Sequence, residues 1–102
     1  RFMRTCIERL IALPHVNSIT LREEILFIES TLESLRIEGV ISNDAYLDAG
    51  AIQGGLSMLA NLIDHGITRQ ESQEHLRGIL ARGDKLSIVY PDLDSTVEKR
   101  RK

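Results

Sequence analysis

Tryptophan is absent from this sequence, and aromatic residues make up only 4% of it. A chain so poor in aromatics has little with which to line a ligand pocket or to stack on bases. No small-molecule substrate and no cofactor is therefore expected. Cysteine occurs once, at Cys6, which excludes an internal disulfide framework and points to a reducing compartment, the cytoplasm. No apolar run approaches the ~20 residues of a membrane span, so no membrane partner is expected. The first residues carry no signal-peptide pattern. Charge of one sign is not in excess either. Thirteen Lys and Arg against fifteen Asp and Glu leave a formal charge of −2 and a pI near 5.9. That balance excludes a wholly basic nucleic-acid coat protein and leaves room for a local basic patch.

What the chain does have is helical punctuation. Its 102 residues fit one domain with a modest core, 42% of them being hydrophobic. Met3, Cys6, Ile7, Leu10, Ile11 and Leu13 form a helical stripe over 2–13 that Pro14 stops. Residues 15–19 then read as a connector. Thr20 with Glu23, and again Thr68 with Glu71, match the capping box, in which each side chain satisfies an orphan backbone N–H of a helix start.

A second helix is predicted over about 21–38, closed by Gly39 in the left-handed region. Its apolar positions Leu21, Ile25, Ile28, Leu32 and Leu35 step by four and three, a coiled-coil-like seam that Leu26 and Phe27 widen. Glu23, Glu24, Glu29, Glu33 and Glu38 make its outer face acidic. Ser42 or Asn43 caps a third helix over about 44–65, closed by Gly66. Ala45, Ala49, Ile52, Leu56, Leu59 and Ile63 form one stripe, and Leu47, Ala51, Met58 and Leu62 a second. No charge falls between Asp48 and Asp64. A helix apolar around most of its circumference has to be covered on several sides, within the chain or by another. Gly50, Gly54 and Gly55 cost this helix about 1 kcal/mol each relative to alanine. Both stripes keep their phase across them, so one continuous helix is expected, with Gly50 and Gly54 admitting a close backbone neighbour.

A fourth helix over about 69–82 buries Leu76, Ile79 and Leu80 and is read as ending at Gly83. Residues 86–90 are read as a short extended run bounded by Pro91. The organisation predicted is thus a single helical domain over 1–85 and a C-terminal arm with a basic end over 86–102. The fold class expected is all-α, a small four-helix bundle on an antiparallel hairpin, and dimeric.

Chemistry-bearing residues are few. Cys6 lies on an apolar stripe, the ordinary place for a structural thiol. Ser57, Asp64 and His65 can be written as a triad on paper, but adjacent residues of a helix point in different directions. Glu71 and His75 share a helix face with Glu74 nearby, short of the three or four ligands a transition metal requires. The segment Gly50-Ala51-Ile52-Gln53-Gly54-Gly55 lacks the Lys-Ser/Thr end and preceding strand of a phosphate loop. Arg82-Gly83-Asp84 spells an adhesion tripeptide with no secretory signal beside it. No enzyme is predicted, and no catalytic, cofactor or metal residue is assigned.

The turn Gly66-Ile67-Thr68 resembles that of a helix-turn-helix, with Arg69, Gln70, Gln73 and Arg77 available to a duplex. Ser72 and His75, however, fall where such a helix buries apolar residues. Lys99, Arg100, Arg101 and Lys102 add a cluster able to neutralise phosphates. A DNA-binding regulator using Arg69, Arg77 and 99–102 is therefore the alternative function. The principal expectation is a small regulatory or adaptor protein acting by helix-mediated association, with itself or a protein partner. Leu32, Leu35, Ile52, Leu56 and Leu59 are placed in its core or association seam. The acidic helix face and the segment 86–97 are its candidate partner surfaces.

Overall fold

The computed structural model describes residues 8, 10, 11 and 17–101. Among these there are four helices and no strand: α1 (Ser18–Ile37), α2 (Asn43–Asp64), α3 (Arg69–Val89) and α4 (Leu93–Glu98). The helix expected over 2–13, with Cys6, lies mostly outside the described residues. Its three described positions, Glu8, Leu10 and Ile11, are helical, and Leu10 is buried in the core.

α1 begins earlier than the Thr20–Glu23 pattern implied. Asn17 is its cap, its side-chain oxygen accepting the Thr20 N–H at 2.8 Å. With the start capped by Asn17 one turn earlier, the Thr20 N–H becomes an orphan donor that needs a partner, and Ser18, Ile19 and Thr20 join the helix instead of preceding it. The other two starts follow their residues. Ser42 accepts the Ala45 N–H at 3.1 Å, and Thr68 and Glu71 form both bonds of a capping box, at 3.1 and 3.0 Å.

The two helix stops are equally local. Gly39 at φ 75° and Gly66 at φ 91° occupy the left-handed region. Each sits in a Schellman arrangement. Gly39 and Val40 donate to Arg36 and Leu35, and Gly66 and Ile67 donate to Ile63 and Leu62. α2 runs unbroken through Gly50, Gly54 and Gly55.

Gly83 behaves differently. It keeps right-handed helical backbone and is buried within α3, which continues to Val89. The inward stripe Leu76, Ile79, Leu80 goes on through Gly83 to Leu86 and Tyr90, so burial carries the helix past a residue that could have ended it. Two expectations are corrected here: α3 does not stop at Gly83, and 86–90 is not extended. The boundary drawn between residues 85 and 86 falls inside α3. The arm beyond it forms α4, whose Leu93 and Val97 are buried in the core.

α1 and α2 lie antiparallel. Arg22, near the start of α1, meets Asn61 and Asp64 at the end of α2, and Gln53 donates to Glu29 at mid-length. α3 packs along α2, and α4 lies against α1. The core gathers Leu21, Ile28, Leu32 and Leu35 from α1, with Ala49, Ile52, Leu56 and Leu59 from α2 and Leu76 and Ile79 from α3. Each large aliphatic side chain so buried contributes about 1.5–3 kcal/mol of transfer free energy. Leu26, expected to widen the α1 seam, is instead exposed, while Phe27 packs against the core edge.

Leu56 has no exposed surface and Met58, two residues on, is 61% exposed. Leu56→Ala should cost about 2–5 kcal/mol of stability, and Leu56→Asp should abolish the fold. Met58→Ala should stay within about 0.5 kcal/mol. Urea denaturation followed by helical circular dichroism checks this, and equal costs for Leu56→Ala and Met58→Ala would refute the placement of the core.

Candidate functional site

The five residues assigned to a core or association seam, Leu32, Leu35, Ile52, Leu56 and Leu59, are all buried inside the single chain. They hold α1 and α2 together, and none of their surface faces outward. What faces outward is the second stripe of α2. Leu47, Gly50, Ala51, Gly54 and Met58 are exposed, and only Leu62 is half-buried. With α1 on one flank and α3 on the other, the third face of this helix, which carries no charge between Asp48 and Asp64, is open. A Cβ added at Gly50 or Gly54 would meet nothing within 4 Å, whereas one at Gly55 would touch Ile79 at 3.4 Å. Gly55 thus faces α3, while the space beside the other two glycines is open among the described residues.

Beside this face runs a groove of about 770 Å³ between α2 and α3. Its floor is made by small residues, Ala51, Gly54, Gly55 and Gly78. Glu71, Glu74, His75 and Arg82 of α3 rim it. Gly78 is another mid-helix glycine whose Cβ would meet nothing within 4 Å. One carboxylate oxygen of Glu71 accepts the Thr68 backbone N–H, and that hydrogen bond is the main reason its carboxyl sits below the usual carboxylate range. From the sequence alone Gly78 has no assigned role, and Arg82 belongs only to the tripeptide 82–84. The available signal was a glycine flanked on one helical face by charges.

The acidic face and the basic tail, expected as separate surfaces, meet each other. Arg100 donates two hydrogen bonds to Glu38, at 2.9 and 3.1 Å. Arg101 bonds Glu24 of α1 and Glu98 of α4, and its guanidinium lies 4.0 Å over the Phe27 ring. The bonds from Arg100, and then its charge, hold the Glu38 carboxyl below its ordinary range. Two of the four tail cations therefore neutralise the chain's own carboxylates. Lys99, Arg69 and Arg77 are exposed, and Lys102 lies outside the described residues. Ser72, where a recognition helix would bury an apolar residue, is indeed buried, its hydroxyl donating to the Thr68 carbonyl at 3.1 Å.

The paper triad is not assembled. Asp64 is held by Arg22 at 2.7 Å, and a ring nitrogen of His65 lies 2.7 Å from the Asn61 carbonyl of its own helix. Bonds from Ser18 and then Arg22 keep the Asp64 carboxyl low. The glycine-rich segment 50–55 and the tripeptide 82–84 are both regular helix. Among the described residues, no group of three or more His, Cys, Asp or Glu side chains is placed to hold a metal ion. No helix there is long and apolar enough to cross a membrane. Compared with models of known families, with curated proteins and with solved structures, the chain finds no match.

Because Glu38 ionises more readily folded than unfolded, its pair with Arg100 stabilises the fold above the ordinary carboxyl value of 4.5. The contribution is lost as pH falls through the depressed folded value. Arg100→Gln should return the Glu38 carboxyl to the ordinary range in a carbon-detected NMR titration and flatten the acid-side fall in Tm. An unmoved Glu38 titration would show that Arg100 does not act on it in solution.

Proposed function

We propose that this protein is a small regulatory or adaptor protein that works by helix-mediated association with another protein chain, without catalysis. The open face of α2 carries the reading. Leu47, Gly50, Ala51, Gly54 and Met58 present an apolar surface with no charge. Two glycines on it weaken the helix by about 1 kcal/mol each. Inside the chain nothing approaches the space they leave. A cost with no return among the described residues is one an external helix can offset, since missing side chains let two backbones come close. The helices are taken as a small four-helix bundle built on the α1–α2 hairpin, with the 2–13 stripe or α4 as its fourth member. The same reading keeps the protein in the cytoplasm, where its one cysteine suits a reducing environment.

The test separates folding from association. At a concentration where light scattering gives the mass of one chain, 11.5 kDa, Gly50→Ala and Gly54→Ala should each raise stability by about 0.5–1 kcal/mol in urea denaturation. Room for the methyl and a better helix former give that sign. If either substitution destabilises the single chain, that glycine serves the chain's own fold and the reading loses its support.

A further inference from the structure

The α2–α3 groove has charge at both ends, of opposite sign. Along α3, Glu74 and Arg82 stand four residues on either side of Gly78, and Glu71 and Lys85 stand seven on either side. Spacings of four and seven bring all five positions to one helical face. Glu71, Glu74, Gly78 and Arg82 border the groove, and Lys85 is exposed beyond Arg82. The pattern is therefore antisymmetric in charge about its smallest residue.

Such a pattern complements itself. If a second α3 is laid antiparallel with Gly78 over Gly78, each Glu74 faces the other chain's Arg82 and each Glu71 faces its Lys85. A parallel arrangement would set glutamate on glutamate and cation on cation, which is repulsive. The geometry at the centre agrees with this. A helix can approach closely only where side chains are missing, and Gly78 of α3 and Gly54 of α2 both face open space. Arg82 makes no ion pair or hydrogen bond among the described residues, and its Nη1 lies 3.7 Å from where a Gly55 Cβ would sit, at the wall of the groove. Met58 and Leu47 of α2 add exposed apolar surface alongside.

We propose that the occupant of this groove is a second copy of the chain, docked antiparallel about a two-fold axis that passes over Gly78. This deepens the association reading above by naming the partner and the surface. A two-fold interface uses one patch twice, so every favourable pair is made in duplicate. Here the duplicated pairs are Glu74 with Arg82 and Glu71 with Lys85, closing over the glycine floor. Charge selects the antiparallel register, and the apolar face of α2 is covered by the same act.

Charge exchange tests it. Glu74→Arg and Arg82→Glu each put like charges opposite one another in the symmetric pair, so each alone should weaken self-association about tenfold or more. The double variant Glu74→Arg with Arg82→Glu restores complementarity and should restore the wild-type dissociation constant. An equimolar mixture of the two single variants should form a mixed dimer, because the arginine-rich surface then faces the glutamate-rich one. Gly78→Leu, whose Cβ would meet nothing within 4 Å in the single chain, should block the approach without loss of helicity. Analytical ultracentrifugation, with circular dichroism to verify folding, reads all five. A dimer indifferent to these changes would mean that copies meet elsewhere, and the inference would be wrong. A wild-type chain that stays monomeric to millimolar concentration also overturns it. That outcome leaves the association reading to the alanine variants of Gly50 and Gly54, which probe the face without reference to its occupant.

Discussion

The burial of one stripe of α2 is the constraint on which this molecule depends. Ala49, Ile52, Leu56 and Leu59 are almost completely removed from water, and they are the surface on which α1 and α3 are laid. Everything else is arranged around that contact. Gly55 faces Ile79 of α3, which lies at ordinary contact distance from where a Cβ would be. The α1–α2 register is pinned at one end by Arg22 on Asp64 and midway by Gln53 on Glu29. These exposed polar contacts contribute little stability individually. They favour one register among those that the aliphatic seam alone would allow.

Features governed by local chemistry were legible in the sequence. A Ser or Thr followed by an apolar-periodic segment marks a helix start whatever the rest of the chain does, and so does glycine at a stop. Ser42, Thr68, Gly39 and Gly66 all behave this way. The failures occur where a local signal competes with a better one or with burial. Thr20 lost the role of cap to Asn17, whose carboxamide oxygen accepts the N–H of Thr20 itself and so starts the helix one turn earlier. Gly83 lost the role of stop because the inward stripe continues beyond it. Glycine permits a left-handed turn without demanding one, and buried apolar surface on both sides decides the matter.

The electrostatics could not be read in the same way. Glu24 and Arg101 are 77 residues apart, and Glu38 and Arg100 are 62 apart. An acidic helix face and a basic tail each look like an invitation to a partner when taken singly. Only the placement of α4, by Leu93 and Val97 entering the core, brings them together. The tail is thereby fastened along α1, and Arg101 stacks on Phe27 as well as pairing with carboxylates. A charge run at a terminus is a solvated end, a ligand site or a clasp according to what lies within reach in the fold.

The two flanks of α2 show why a central helix need not be central on every side. An amphipathic helix with one apolar stripe is finished once a single neighbour covers it. α2 carries two stripes, and its glycines divide between them in a way that distinguishes their purposes. Gly55 is in contact, while Gly50 and Gly54 are not. Had selection for stability been the only force, alanine at the last two positions would have been favoured, since the space is there and the helix gains. Their presence beside Leu47, Ala51 and Met58 ties an energetic cost inside the chain to an apolar surface outside it. The charges of α3 limit what can meet that surface. With acid at one end of the groove and base at the other, a helix of uniform charge would be repelled at one end. A helix with the opposite polarity is accepted along the whole length, and α3 itself, reversed, has that polarity.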